Sequence, residues 1–515
     1  MNAANRVATN TLILYLRMLL TMGISLYSTR LVLNALGSTD YGIYNLVAGV
    51  IVMLSFLNTA MATSSQRYLS FHQGKNDVQK QKEVFTNSFF LHIVIGIILV
   101  IILEIAGLFL FDGFLNIPFE RIHSAKIIYH YMSVTVFFTV VSVPFNGALI
   151  AHENMFWVAI VNIVEALLKL GITLLLYIIT ADKLIIYGFG MASIVIVTFI
   201  LNAWYGLKKY PECTFVGVLK PDGKFIKELS AFAGWNLFGA LCAMGRNQGL
   251  ALILNLFFGT VVNAAFAIAN QVNSQLQFFS GTMLRALNPQ IMKSEGLGDR
   301  ERTLRLSMMA SKLGFFLLSI FAIPIMFEMP SILALWLKDV PPDTVIFCRL
   351  ILLGAIINQL SVGLQSAILA VGDIKSYHIL IGGILLINLP LSYFLLKYFE
   401  LPAYSVLVSY IVIEIIASLF RIYMATKKVT LSLHYFFNKV LQKAIVPVFL
   451  VMLLNILLIN FIEIPHRFIL TCLLSCVIYI FSIYFFSLEG NERVLIHNGY
   501  CTLKKKITQF RYGNN

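Results

Sequence analysis

Apolar runs of about twenty residues or more recur along nearly the whole chain, and a helix of that length is what crosses a bilayer. In hydrocarbon every backbone N–H and C=O must find its partner within the protein, so such runs are restricted to helices packed side by side. With 59% apolar and only 12% charged residues, nothing is left over for a soluble domain. The longest polar segments, 208–228 and the tail from Glu489, are too short to bury a core of their own. The pattern predicts an all-α polytopic membrane protein of about 14 transmembrane helices, near 10–36, 42–66, 84–111, 122–150, 155–180, 184–207, 229–259, 262–292, 304–329, 345–371, 377–399, 401–426, 441–462 and 467–488. The opening run has no small-residue cleavage site behind it and reads as an uncleaved first span.

A net charge of +14 would suggest nucleic acid as the partner of a soluble protein, but here the placement of the basic residues decides. With the N-terminus inside, seven fall on exterior segments and five within spans (Arg17, Arg30, Lys169, Arg246 and Arg285), leaving 26 of the 38 on cytoplasmic segments and span ends. The positive-inside rule then puts both termini in the cytoplasm, and no nucleic acid is expected. The six cysteines are scattered without a CxxC. Cys472 and Cys476 lie one turn apart with no further ligands near them, so neither a metal nor a cofactor is expected.

A single constant offset lays Gly37, Gly42, Tyr44, Gly74 and Asp77 on Gly259, Ala264, Phe266, Gly296 and Asp299, while Arg67 falls on Pro289. The partial match predicts two parallel six-helix repeats related by an axis along the membrane normal. The expected organisation is an N-terminal six-helix lobe over 1–207, a cytoplasmic linker over 208–228, a C-terminal six-helix lobe over 229–426, accessory helices 13 and 14 over 427–488, and a cytoplasmic basic tail over 489–515.

Polar side chains inside the spans carry the functional information. A guanidinium at membrane depth costs a few kcal/mol or more unless it faces a partner or a wet cavity. In the seventh span Asn236, Gly239, Ala243, Arg246 and Asn247 share about a third of the helix circumference, and in the eighth Asn270, Ser274, Gln277, Gly281 and Arg285 share a face. They are expected to form one wall of a central cationic cavity. Arg17, on a stripe with Asn10, Thr21 and Ser28, either joins that cavity or snorkels to the headgroups. In the fifth span Glu165 precedes Lys169 by four, the favourable order for a helical ion pair. That pair either lets the helix insert or opens when substrate or a proton arrives. Glu104, Glu328 and Glu414 read as structural, and His130 as satisfied by a neighbouring helix rather than relaying protons.

The run Asn10-Thr11 through Gly37-Ser38-Thr39-Asp40-Tyr41-Gly42-Ile43-Tyr44 resembles the first helix and turn of bacterial polysaccharide flippases, and Phe232-Ala233-Gly234-Trp235-Asn236 resembles their seventh-helix entry. These flippases belong to the multidrug, oligosaccharidyl-lipid and polysaccharide exporter (MOP) superfamily. The resemblance implies two six-helix lobes around a cavity that alternately faces the cytoplasm and the exterior of a bacterial cytoplasmic (inner) membrane. It implies an undecaprenyl-pyrophosphate-linked oligosaccharide as substrate, flipped for O-antigen, capsule or a similar glycan. Membrane lipid, H⁺ or Na⁺ as coupling ion, and a polysaccharide polymerase or glycosyltransferases are the further partners it admits, and spans thirteen and fourteen are similar in position to a helix pair that grooves a lipid tail in related flippases. Stripping water from a pyrophosphate and a sugar chain is far too costly without fixed cations and hydrogen-bonding groups. Arg17, Arg246, Arg285 and Lys169 suit the pyrophosphate, and Asn236, Asn247, Asn270, Gln271, Ser274 and Gln277 the sugar. Glu165 is the coupling candidate.

A drug or cation antiporter of the same superfamily would need buried acids, yet the first, second, seventh and eighth spans hold no Asp or Glu. A membrane glycan polymerase or acyltransferase would need a catalytic constellation, and the largest exterior segment, about Pro330 to Thr344, offers only Asp339 and Asp343. The reading is therefore a transporter and not an enzyme.

Overall fold

The computed structural model describes residues 3–52, 55–111, 117–214, 223–337, 340–462, 464, 466–490 and 493. The middle of the expected linker, 215–222, and the tail beyond 493 lie outside them. The described residues are helical with no strand among them, in the order α1 (Ala3–Val52), α2 (Ser55–Gly74), α3 (Val78–Phe109), α4 (Ile122–Val141), α5 (Val143–Ala151), α6 (Met155–Leu175), α7 (Lys183–Lys209), α8 (Gly223–Gly296), α9 (Arg300–Phe327), α10 (Met329–Trp336), α11 (Thr344–Val371), α12 (Lys375–Phe399), α13 (Ser405–Val429), α14 (Leu433–Phe436), α15 (Gln442–Phe461) and α16 (Arg467–Ser482). Twelve helical segments among these residues are long and apolar enough to span a membrane, against the fourteen expected. The two not counted are the second, which crosses residues 53 and 54 outside the described ones, and the eighth. The eighth is the continuation of α8 past Gly259, where Asn263, Asn270, Asn273, Gln275 and Gln277 dilute the apolar content.

The repeat is visible in the backbone. Helix α1 breaks at Gly37 (φ 77°, ψ 169°), and α8 breaks at the matched glycine, Gly259 (φ 78°, ψ −166°). Only glycine enters that corner of φ/ψ space without strain, because any Cβ there collides with its own backbone. A second matched device follows. After α2, Asn76 (φ 55°) takes the left-handed conformation, its N–H bonds Gln73 O, and Asp77 N–H bonds His72 O at 3.1 Å. After α8, Gly298 (φ 77°) does the same, bonding Glu295 O, with Asp299 N–H on Ser294 O at 3.0 Å. Both are Schellman turns. Each hands the chain directly to a capping aspartate: Asp77 accepts from Lys80 N–H and Asp299 from Arg302 N–H, both at 2.9 Å. The starts of α3, α4 and α7 (Val78, Ile122 and Lys183) reappear, at the spacing that separates Gly37 from Gly259, as the starts of α9, α11 and α13 (Arg300, Thr344 and Ser405).

The helices divide into two compact units, one running Leu12–Leu237 and the other built on the helices from Phe238 onward. In the first, Ile43, Val47, Ile128, Tyr129, Val136 and Leu184 make the core, and Gly188 lets α7 approach the Ile128 side chain of α4. The first turns of α8 belong to this unit: Ser64 donates to Leu229 O at 3.3 Å, and Tyr68 OH to Glu228 Oε1 at 2.9 Å. One ionic cluster ties three helix ends together. Arg121 donates from Nε to Asp40 Oδ1 at 2.8 Å and from Nη1 to Asp182 Oδ2 at 3.0 Å, while Ser124 Oγ donates to the same Asp182 oxygen at 2.7 Å. Asp182 also caps α7 by accepting from Leu184 N–H.

In the second unit small residues bring helices into contact, as membrane packing requires. Gly363 of α11 lies so close to α9 that a Cβ would meet the backbone of Ser307 and Ser311, and its N–H donates to Ser311 Oγ at 3.0 Å. Helices α15 and α16 pack on α9 through Phe315, Phe316, Val451 and Tyr479. Asn455 bridges the pair by donating to Ser475 Oγ at 2.9 Å. At one end, Glu328, 1% exposed, accepts from Arg467 Nε at 2.9 Å and Thr471 Oγ1 at 3.0 Å. At the other, Lys312 Nζ donates to Ser487 O at 3.4 Å. Large apolar side chains such as Ile98, Ile101, Leu108, Leu473, Val477 and Phe481 stay exposed on the outer faces, where a bilayer would cover them.

Candidate functional site

Arg246 lies in the interior of the second unit and is not alone there. Its Nη1 donates to Glu414 Oε1 at 2.6 Å, and its guanidinium lies 4.4 Å from the ring centroid of Tyr410. The two charged side chains are 7% and 1% exposed. The other carboxylate oxygen of Glu414 accepts from Asn358 Nδ2 at 2.9 Å. Asn358 Oδ1 in turn accepts from Arg421 Nη1 at 3.4 Å, and that same Nη1 donates to Ser361 Oγ at 2.7 Å while Nε donates to Tyr377 OH at 3.2 Å. The local sequence explains the assembly. On α13, Tyr410, Glu414 and Arg421 are spaced by four and seven, so they share one face, and Asn358 and Ser361, three apart on α11, meet that face.

The electrostatics of the network are unequal. It holds two guanidiniums and one carboxylate, with amide, hydroxyl and phenol groups as the neutral partners. Burying a charge without a counter-charge is prohibitive, and a paired one still depends on further hydrogen bonds for the remaining donors and acceptors. Glu414 neutralises Arg246 directly and Arg421 only through Asn358. The cluster therefore carries a surplus positive charge inside the helix pack.

The other sequence-predicted residues fall into three situations. Asn236 is buried, and its amide folds back to donate to Phe232 O at 3.1 Å. Asn270 does likewise to Phe266 O at 2.9 Å, Ser274 to Asn270 O at 2.8 Å, and Gln277 to Asn273 Oδ1 at 3.3 Å. Asn247, Gln271 and Arg285 are exposed, the last two on the arm of α8 beyond Gly259. In the first unit Lys169 Nζ donates to Glu165 Oε1 at 2.6 Å, the predicted helical pair, and Arg17 is half-buried. His130 Nδ1 meets Glu104 Oε2 at 2.8 Å, so the histidine is satisfied by the neighbouring α3 as expected.

The sequence reading left Glu414 as a structural acid and passed over Arg421, Asn358, Ser361 and Tyr377. The signal available was the stripe Tyr410, Glu414, Arg421, a lone acid and a lone arginine two turns apart on one face. Nothing local pointed to Arg246 as its partner, 168 residues away.

Comparison with known proteins gives consistent results at three levels. The model of a family described as "Polysaccharide biosynthesis protein" matches residues 7–295, more than half of the chain. A curated Bacillus subtilis relative, "Uncharacterized membrane protein EpsK", is 21% identical over 303 residues, and the match spans 59% of each chain. Among solved structures, an outward-facing multidrug resistance MATE family transporter of the MOP superfamily aligns over 84% of this chain and 98% of its own with a TM-score of 0.71 at 14% identity. A MOP superfamily transporter from Pyrococcus furiosus, described as having a binding pocket of reverse polarity, aligns over the same shares with a TM-score of 0.70 at 12% identity. The structural likeness shows the MATE-like fold, and the long apolar helices mark a multi-pass membrane protein. By the family match, the chain belongs to the polysaccharide biosynthesis protein family.

Proposed function

We propose that this protein is a flippase. It carries an undecaprenyl-pyrophosphate-linked oligosaccharide from the cytoplasmic to the outer leaflet of a bacterial inner membrane by alternating access, with both termini cytoplasmic, for O-antigen, capsule or another surface polysaccharide. Two six-helix lobes, 1–207 and 229–426, work around the linker 208–228, with the helices of 427–488 as an accessory pair and 489–515 as a basic tail. The observation that carries the reading is the surplus of buried cation around Arg246 in a chain whose family makes polysaccharide. An anionic headgroup is attracted to that surplus, and a cationic drug is repelled by it.

Arg246 is the principal pyrophosphate ligand, with Arg17, Arg285 and Lys169 as further cations along the path. The amides and hydroxyls of Asn236, Asn247, Asn270, Gln271, Ser274 and Gln277 serve the sugar. A planar guanidinium offers two parallel donors to a phosphate where an ammonium offers a point charge. In cells, Arg246→Ala at matched protein level is expected to lose the surface glycan and accumulate its lipid-linked precursor on the cytoplasmic side, and Arg246→Lys to retain part of the function. Wild-type glycan in Arg246→Ala would sink the reading.

A further inference from the structure

Arg246 is already occupied by a carboxylate, and that constrains how it can receive a phosphate. A guanidinium locked at 2.6 Å to Glu414 and stacked on Tyr410 has one strong electrostatic partner, with which an incoming diphosphate competes. The displaced carboxylate would then be an acid at 1% side-chain exposure whose counter-charge has gone to the substrate. Buried carboxyls in that position take up a proton, because desolvation disfavours the charged form. Two features keep the exchange local. Asn358 Nδ2 already holds Glu414 Oε2, so the carboxyl stays in place when Arg246 leaves it. Arg421, with its own bonds to Ser361, Tyr377 and Asn358, stays put as a second cation. The groups that the contacts bring to Glu414 are Arg246 from α8, Tyr410 on its own helix and the amide of Asn358 from α11; through Asn358 the network continues to Arg421 and Ser361, and through Arg421 to Tyr377 of α12, beside the buried His378.

We infer that Glu414 and the substrate diphosphate exchange for Arg246, so that headgroup binding breaks the Arg246–Glu414 ion pair and Glu414 gains one proton in the same step. The balance is simple: one ion pair breaks, one guanidinium–phosphate pair forms, and one O–H bond forms on Glu414 with a proton drawn from the aqueous phase. Release of the headgroup reverses all three. The coupling group is then Glu414 in the second half rather than Glu165 in the first. The inference rests on the lipid-linked substrate proposed above.

The test is calorimetry on the full chain in lipid nanodiscs, with farnesyl diphosphate as the probe. Titrations at pH 7 in two buffers of different ionisation enthalpy give the protons taken up per diphosphate bound. Wild type is expected to take up close to one proton more than Glu414→Gln, and Glu414→Gln to bind at least tenfold tighter because its Arg246 needs no exchange. Glu414→Asp, which keeps the carboxylate, is expected to keep the uptake. Wild-type binding without proton uptake overturns the exchange even if Glu414→Gln fails to fold, as does equal affinity or equal uptake in wild type and Glu414→Gln. Arg246-dependent binding in those cases leaves the flippase reading standing. Diphosphate binding that is absent, or indifferent to Arg246→Ala, while a cationic amphiphile binds, removes both.

Discussion

The two halves of this chain share a backbone plan and differ in where they put charge. The glycine break, the Schellman turn and the capping aspartate recur at one common offset along the chain. The ionic clusters do not. In the first half the positions equivalent to Asn358, Glu414 and Arg421 are Val136, Ala192 and Phe199, and the core there is apolar. In the second half the positions equivalent to Asp40, Arg121 and Asp182 are Val262, Asp343 and Tyr404, so the cluster that ties helix ends is missing. The Arg121 cluster of the first half sits at partly exposed helix ends, whereas the Arg246–Glu414 pair of the second is buried. The turns set the fold and tolerate little change; the side chains facing the helix pack are free to diverge toward chemistry.

The largest test of that contrast is Glu414→Ala. Removing one member of a buried pair leaves an uncompensated charge and is expected to cost about 3–5 kcal/mol, whereas Glu414→Gln with Arg246→Met should come out near neutral. Asp40→Ala, at the partly exposed cluster, is expected to cost less than about 1 kcal/mol. Reversible unfolding in bicelles measures all three, and equal costs for Glu414→Ala and Asp40→Ala would erase the distinction. Next in size are Gly37→Ala and Gly259→Ala. No neighbour lies within 4 Å of a Cβ at either position, so the cost is the backbone conformation alone, about 1–3 kcal/mol and similar at the two sites. A large difference between them would mean that the repeat is geometric but not energetic. The caps come third: Asp77→Ala and Asp299→Ala should each lose about 1 kcal/mol.

The smallest effect is a pH dependence in the first half. Burial works against ionisation of Asp182, but the hydrogen bonds from Ser124 and Arg121 and the charge of Arg121 outweigh it and hold the carboxyl below its ordinary value of 3.8. A depressed carboxyl stabilises the fold fully above its unfolded value, and that contribution disappears as the pH falls through the folded one. The stability gap between wild type and Asp182→Asn should therefore be constant above about pH 5 and close below pH 4. A gap that widens on acidification would reverse the sign and remove the Arg121 cluster as its cause.

Much of the fold was legible because it depends on short-range rules. Run length gave the helices, and Gly37, Gly74 and Asp77 against Gly259, Gly296 and Asp299 gave the repeat. Of the fourteen expected spans twelve are counted among the described residues: the second crosses residues 53 and 54, which lie outside them, and the arm beyond Gly259 is too rich in amides to count as apolar. The candidate site was legible in part. The depth of Arg246 follows from its position in an apolar run, but its partner is set by tertiary packing across 168 residues. The amides of Asn236 and Asn270 each donate to a carbonyl one turn back on their own helix, a local competition that face counting does not weigh.

The accessory pair is fastened to α9 at both ends and along its length, by Glu328 with Arg467 and Thr471, by Lys312 with Ser487, and by Phe316 against Tyr479 with ring centroids 6.1 Å apart. Mechanically those contacts make α15 and α16 riders on α9. Whatever greasy surface they present to the bilayer travels with α9 through any rearrangement, so a lipid chain lying along them would be towed and not gated.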